Sequence, residues 1–220
     1  MDLHALRLSL ALAALTTLAL LLLGLPLAAW LASSTRRAKV LVEALVSLPL
    51  VLPPTVLGFY LLVAMGPRGL LGRAWLAATG APLAFSFAGL LAGSVIYNLP
   101  FAVQPFAASL SRVDRRLIEA SYSLGRSRLQ TFLRVSLPLA APGVLAGAVL
   151  TFAHALGEFG VVLMIGGNLP GRTRTLSISI FDAVESLDYD TAGTTSLFLV
   201  AVSFAVLVVT YGLRRRPFAG

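Results

Sequence analysis

The chain has 220 residues, 58% of them apolar and 12% charged, where soluble domains carry about 45–50% and about 25%. A mean hydropathy of +0.90 and the absence of cysteine exclude a water-soluble globule, a disordered chain and a secreted disulfide scaffold. The net charge of +8 comes from sixteen arginines and Lys39, gathered in short clusters between apolar runs. Such clusters orient a membrane protein in its bilayer, and no nucleic acid partner is expected.

A bilayer core needs ~20 apolar residues per helix. Residues 8–35 carry no charge. This run is longer than a signal-peptide core, and no convincing small-x-small cleavage site precedes Arg36, so an uncleaved first span is expected. Residues 40–66 form a second apolar run, interrupted by charge only at Glu43. Pro49, Pro53 and Pro54 lie inside it and disfavour straight helix. Residues 83–111 give a third span with Pro100 and Pro105, and residues 135–157 a fourth with Pro138 and Pro142 near its start and His154 near its end. Residues 159–167 are too few to cross; they read as a re-entrant helix or as the frayed end of the fourth span, buried against protein. Residues 191–213 complete the set as a fifth span. Gly89 and Gly93, and Gly143 and Gly147, are spaced for close helix approach.

The expected fold is therefore all-α: one polytopic bundle over residues 1–220 with five full spans, a short sixth helix at 159–167 being the alternative. If residues 36–39, 112–134 and 214–216 are cytoplasmic, twelve of the seventeen cations lie on that side. The positive-inside rule then places the N-terminus outside and the C-terminus in the cytoplasm. Arg172 and Arg174 fall on the outer side, available to a partner or simply solvated.

Residues 111–138 carry the most information. Asp114 suits an N-cap, residues 115–124 are good helix formers, and Gly125 stands where a left-handed residue ends a helix. A helix of about ten residues is unstable alone in water and must dock, on the membrane surface or in another protein's groove. A second short helix is expected around Leu129, Phe132 and Leu133, with Pro138 opening the fourth span.

Glu119-Ala120-Ser121, then Gly125, then Val135-x-Leu137-Pro138, resembles the EAA loop of ABC-importer permeases, with Ser121 and Val135 departing from the Ala and Ile of that pattern. The resemblance implies that Glu119, Ala120, Ser121, Gly125, Leu137 and Pro138 belong to a coupling helix that inserts into a cytoplasmic ATPase subunit. Residues 48–58, with Pro53 and Pro54, look like the second span of molybdate-importer permeases. The run Ala155-Leu156-Gly157-Glu158-Phe159-Gly160, continuing to residues 167–175, is similar to a segment shared by molybdate, tungstate and sulfate permeases. The Leu-Pro-Pro run favours molybdate; the Gly-Glu-Phe-Gly segment separates none of the three. The resemblance further implies a second copy of the chain, two ATPase subunits that bind ATP-Mg, an extracytoplasmic oxyanion-binding protein, and transport by alternating access.

Glu158 is the acid nearest the bilayer interior, where an ionisable group points to function. It lies one turn beyond His154, so a paired acid and base moving a proton would define a different class, a secondary carrier. Five spans without an inverted repeat fit that class poorly. Fixing the kink between Gly157 and Gly160, through backbone N–H groups or an arginine, is the preferred role for Glu158. Gate or path candidates are Pro53, Pro54, Thr151, Gly157, Glu158 and Gly160, with Ser94, Asn98 and Gln104 as further lining groups. Two histidines and no cysteine make a transition-metal cluster unexpected, and there is no phosphate-cradling Gly-rich loop. No cofactor and no enzyme activity are expected of this chain itself.

Overall fold

The computed structural model describes residues 2–214, so Arg215 and Arg216 of the C-terminal cluster lie outside the described residues. Among the described residues there are helices and turns and no strand. Helix α1 (Leu3–Ser33) starts at Asp2, whose carboxylate accepts from the backbone N–H groups of His4 and Ala5, and it carries Pro26 without ending. Its buried positions Ala5, Leu12, Thr16, Leu20, Gly24, Ala28 and Leu31 follow the helical period, while Leu15, Leu18, Leu22 and Leu23 are exposed. A leucine-rich helix with one buried stripe is what a span packed against protein on one side and lipid on the other requires. Helices α5 (Phe87–Leu110) and α8 (Leu137–Leu156) pack with α1 as the central trio.

Among the described residues four helical runs are long and apolar enough to cross a bilayer: Leu3–Ser33, Phe87–Leu110, Arg128–Leu156 and Tyr189–Val208. The second apolar run of the sequence is not a straight span. It divides into α2 (Ala38–Val51) and α3 (Pro54–Met65), which meet at a bend of 112°. At 1.5 Å per residue, α2 is roughly 21 Å long and α3 roughly 18 Å, each short of the ~30 Å hydrocarbon core. The cause is local. Leu52 precedes a proline and takes the extended conformation that a following proline imposes, and Pro53 and Pro54 cannot donate the bonds that would carry the helix through. Counting this pair as one span gives five.

Two further helices were not legible in the sequence. Helix α4 (Leu70–Thr79) follows α3, and α10 (Leu176–Glu185) is capped by Thr175 and precedes α11 (Tyr189–Arg214). The fourth span also begins earlier than Pro138. Helix α7 (Arg128–Thr131) runs through a π-helical turn (Phe132–Ser136) directly into α8. There the Leu137 N–H bonds to the Phe132 carbonyl, five residues back. A widened turn of this kind accommodates Pro138, which lacks the N–H that an α-helix would direct to residue 134.

The contacts sort the loops to two ends of the bundle. At one end Ser109 Oγ donates to the Ala140 carbonyl (2.9 Å), and Leu31, Leu110 and Ala140 share a core cluster. At the other end the Phe85 N–H bonds to the Ile165 carbonyl (2.9 Å) and the Leu176 N–H to Ser9 Oγ (2.8 Å). Residues 36–39 and 112–134 therefore share the first end, and the N-terminus, α10 and residues 167–175 share the second.

Candidate functional site

At the first end, α6 (Arg115–Ser123) stands out from the bundle. Asp114 caps it by accepting from the Arg116 N–H (2.9 Å). Its C-terminus closes in a double-bonded left-handed turn: the Gly125 N–H reaches the Tyr122 carbonyl (2.9 Å) and the Arg126 N–H the Ser121 carbonyl (3.2 Å), with Gly125 at φ +77°. The expected helix, N-cap and left-handed glycine are all present. Glu119 and Ala120 are exposed, as are Leu117, Tyr122 and Leu124; Glu119 pairs with Arg115 at 3.1 Å on the open surface. Ser121 alone on this helix is buried, and its hydroxyl lies 2.9 Å from that of buried Thr131. This bond fastens α6 to α7, which a Ser127/Gln130 capping box starts. Leu137 and Pro138 follow at the π-turn, so the exposed peg is tied through Thr131 to the root of the fourth span.

In the bundle interior the path candidates cluster around two helix breaks. Helix α8 ends at Leu156, and after Gly157, Glu158 and Phe159 the chain restarts as α9 (Gly160–Gly166), with Val161, Val162, Ile165 and Gly166 buried. Helix α9 packs on α3. A Cβ added at Gly160 would sit 2.6 Å from Pro54 Cβ, and one at Gly58 2.7 Å from Met164 Cβ, so only glycine permits this approach. The proline break and the glycine break therefore lie against each other. The short apolar run 159–167 is buried against protein, as expected.

Glu158 is buried, and among the described residues neither a backbone N–H nor an arginine partners it. Its Oε2 accepts from Ser94 Oγ (3.0 Å) and Asn98 Nδ2 (3.2 Å), while Oε1 has no hydrogen-bond partner among the described residues. Ser94 and Asn98 are both fully buried on α5, so the carboxyl ties the break to α5 instead of bracing it locally. Glu158 and His154 do not form a pair on one helix face, because the helix ends between them; Asn98 bridges them, its Oδ1 3.0 Å from His154 Nδ1. Thr151 is fully buried and turns its hydroxyl onto the Gly147 carbonyl of its own helix (2.8 Å). Gln104 is exposed and donates to Ser47 Oγ (3.0 Å), joining α5 to α2. Pro53 and Gly157 are exposed at the two breaks.

At the second end, sequence reasoning left Arg172 and Arg174 alike, and the structure separates them. Arg174 donates to Asn168 Oδ1 (2.7 Å) and pairs with Asp182 on α10 (3.2 Å), while Asn168 Nδ2 also reaches Asp182 (3.1 Å). Asn168 takes a left-handed backbone at φ +52° to make these contacts. Arg174 is thus structural, and Arg172 is exposed without an ion pair among the described residues.

Apolar helices of spanning length, two broken segments in contact and a buried polar cluster define a multi-pass membrane protein of the transport type. The family model described as "Binding-protein-dependent transport system inner membrane component" matches residues 21–216, and the chain belongs to that family. It is 50% identical to the molybdenum transport system permease protein ModB of Azotobacter vinelandii, over 97% of this chain and 95% of that one. It is 34% identical to ModB of Escherichia coli (strain K12), over 93% and 89% of the two chains. The fold also matches a solved bacterial alginate ABC transporter in complex with an alginate-bound periplasmic protein, with a TM-score of 0.77 at 17% identity, covering 97% of this chain and 78% of that one.

Proposed function

We propose that this chain is the permease subunit of an ATP-driven importer that carries an oxyanion, most directly molybdate, into the cytoplasm. The observation that carries the reading is the α6 module: an exposed Glu119-Ala120 peg, closed at Gly125 and fastened through Ser121 and Thr131 to the helix that continues as α8. Such a peg passes a push from a soluble partner into a span and has no evident use in a carrier driven by protons alone. The cargo follows from the relatives, which are molybdenum permeases at 50% and 34% identity; tungstate and sulfate are the alternatives that share its tetrahedral oxyanion chemistry.

In this reading residues 1–220 form one permease domain, and residues 111–138 are its cytoplasmic coupling loop. The α2–α3 pair counts as one bent crossing, giving five, with the N-terminus outside and the C-terminus in the cytoplasm. The end of the bundle that carries Arg36, Arg37, Lys39 and the six arginines of residues 112–134 is then the inner one, which the positive-inside rule supports. The permease works as two copies with two ATPase subunits, and those subunits bind ATP-Mg; the chain itself needs no cofactor. An external binding protein delivers the oxyanion at the end where Arg172 is free. ATP-driven approach of the ATPases draws the two α6 pegs together. The touching breaks at Pro53–Pro54 and Gly157–Gly160 then let the α3 and α9 halves swing, opening the path outward, and hydrolysis resets it.

Uptake of labelled molybdate into liposomes that hold the permease with its ATPase, fed by the loaded binding protein, tests the reading. ATP-dependent uptake, competed by tungstate, is expected. Uptake that follows a proton gradient and ignores ATP would replace the reading with the secondary carrier.

A further inference from the structure

The polar cluster around Glu158 leaves one group facing away from it. Asn98 Nδ2 lies 2.9 Å from the Ser94 carbonyl oxygen and 3.2 Å from Glu158 Oε2, both acceptors, and this sets the orientation of the amide. The atom that meets His154 Nδ1 at 3.0 Å is therefore the amide oxygen, so Nδ1 carries a hydrogen. The two imidazole nitrogens diverge, which turns Nε2 away from Asn98 and from the carboxyl behind it. The ring is half-buried. It stacks on Phe101 (centroids 3.8 Å apart, 26° between planes) with Tyr97 at 5.4 Å. Phe101 also lines, with Leu50, Pro100, Gln104, Pro105 and Leu150, an open groove of about 350 Å³. Leu150 stands one turn before His154 on the same face of α8, so the imidazole neighbours two residues of that groove, Phe101 and Leu150.

With one hydrogen committed to Asn98, Nε2 donates only when the ring carries a second proton and becomes a cation. Glu158, one amide removed from the ring, is the acid that in its ionised form supplies the counter-charge for that imidazolium. We propose that His154 is a contact for the transported oxyanion, an assignment that rests on the importer reading above. The imidazole takes a proton from a solvent hydronium ion, leaving water, as the anion arrives, donates Nε2–H to an anion oxygen, and returns the proton to solvent water as hydronium when the anion leaves. Asn98 is the positioning residue, holding the ring so that Nε2 faces outward. Glu158 acts from behind the ring and never meets the anion, so a buried acid sits beside an anion path without blocking it. The titratable groups packed against the ring are Tyr97 on α5 and, through Asn98, Glu158 at the break.

The experiment uses the full complex in liposomes, with molybdate-loaded binding protein, and reads uptake per ATP hydrolysed between mildly acidic and alkaline pH. Wild-type uptake is expected to fall as pH rises, because the imidazolium is the form that binds. His154→Phe, which keeps the stacking and removes the donor, is expected to lower uptake at least tenfold. His154→Gln, a donor that does not titrate, is expected to keep more uptake than His154→Phe and to lose the pH dependence. Asn98→Leu is expected to raise the half-saturating concentration. Recovery of the ATPase with each variant reports assembly. His154→Phe with wild-type uptake and pH profile overturns the assignment alone. If His154→Phe does not assemble, a His154→Gln profile that still falls with pH like the wild type overturns it instead. A wild-type complex that moves no oxyanion overturns the importer reading and this assignment with it.

Discussion

Replacing Gly125 with valine probes the proposed coupling segment at the left-handed turn that closes α6. A Cβ placed on Gly125 meets nothing within 4 Å, so the substitution costs no packing and acts through the backbone alone. At φ +77° an L-residue pays about 1–2 kcal/mol relative to its preferred regions, and a β-branched one stands at the upper end. The chain escapes that strain only by giving up the two bonds that close α6, at about 1 kcal/mol each net. By either route the closed peg loses about 1–2 kcal/mol, a factor of roughly 5–30 in its population. The assay is ATP-driven uptake alongside recovery of the ATPase with the permease. Gly125→Val is expected to lower both by about that factor. Gly125→Asn, whose side chain tolerates the left-handed region, is expected to fall between valine and glycine. Equal behaviour of Gly125→Val and wild type in both measurements would refute the claim that α6 couples through its capped geometry.

Three other outcomes follow from particular contacts. Gly160→Val drives a Cβ into Pro54 and is expected to destabilise the detergent-solubilised protein by about 1–3 kcal/mol, read as a lowered Tm, whereas Gly193→Ala, with open space around it inside α11, is expected to hold or slightly raise the Tm. Ser121→Ala and Thr131→Val each leave one buried hydroxyl without its partner and are expected to cost about 1–3 kcal/mol singly but much less than the sum together, in a double-mutant cycle on the same melt. Cysteine at Arg172 is expected to react with a membrane-impermeant thiol reagent applied from outside, and cysteine at Ser127 only after the membrane is opened; the opposite pattern would invert the topology.

The spans and the short helix α6 were legible because their causes are local. Apolar length marks a crossing, Asp114 and Gly125 mark the two ends of α6, and Pro53 and Pro54 mark a break, though not the 112° bend they produce. Helices α4 and α10 escaped notice because each has about ten residues in a stretch read as loop, and neither carries a long apolar run. Spacing placed Glu158 one turn from His154, but a helix that stops at Leu156 voids that spacing. The true partners, Ser94 and Asn98, lie 64 and 60 residues away, beyond any periodicity argument. One signal could have pointed to them: Ser94 and Asn98 stand four apart in an apolar span, where two polar side chains on one face need a polar partner. Likewise, nothing in sequence spacing separates Arg172 from Arg174; the left-handed Asn168 that captures the second is a property of the folded loop.

The most direct test of the central claim is recovery of a partner from membranes. The tagged permease, extracted in mild detergent, is expected to bring down an ABC-type ATPase, and changing Glu119 and Gly125 together is expected to abolish that recovery while the permease itself is still extracted. A permease that purifies without any ATPase, and that cross-links to none in the membrane, would contradict the account.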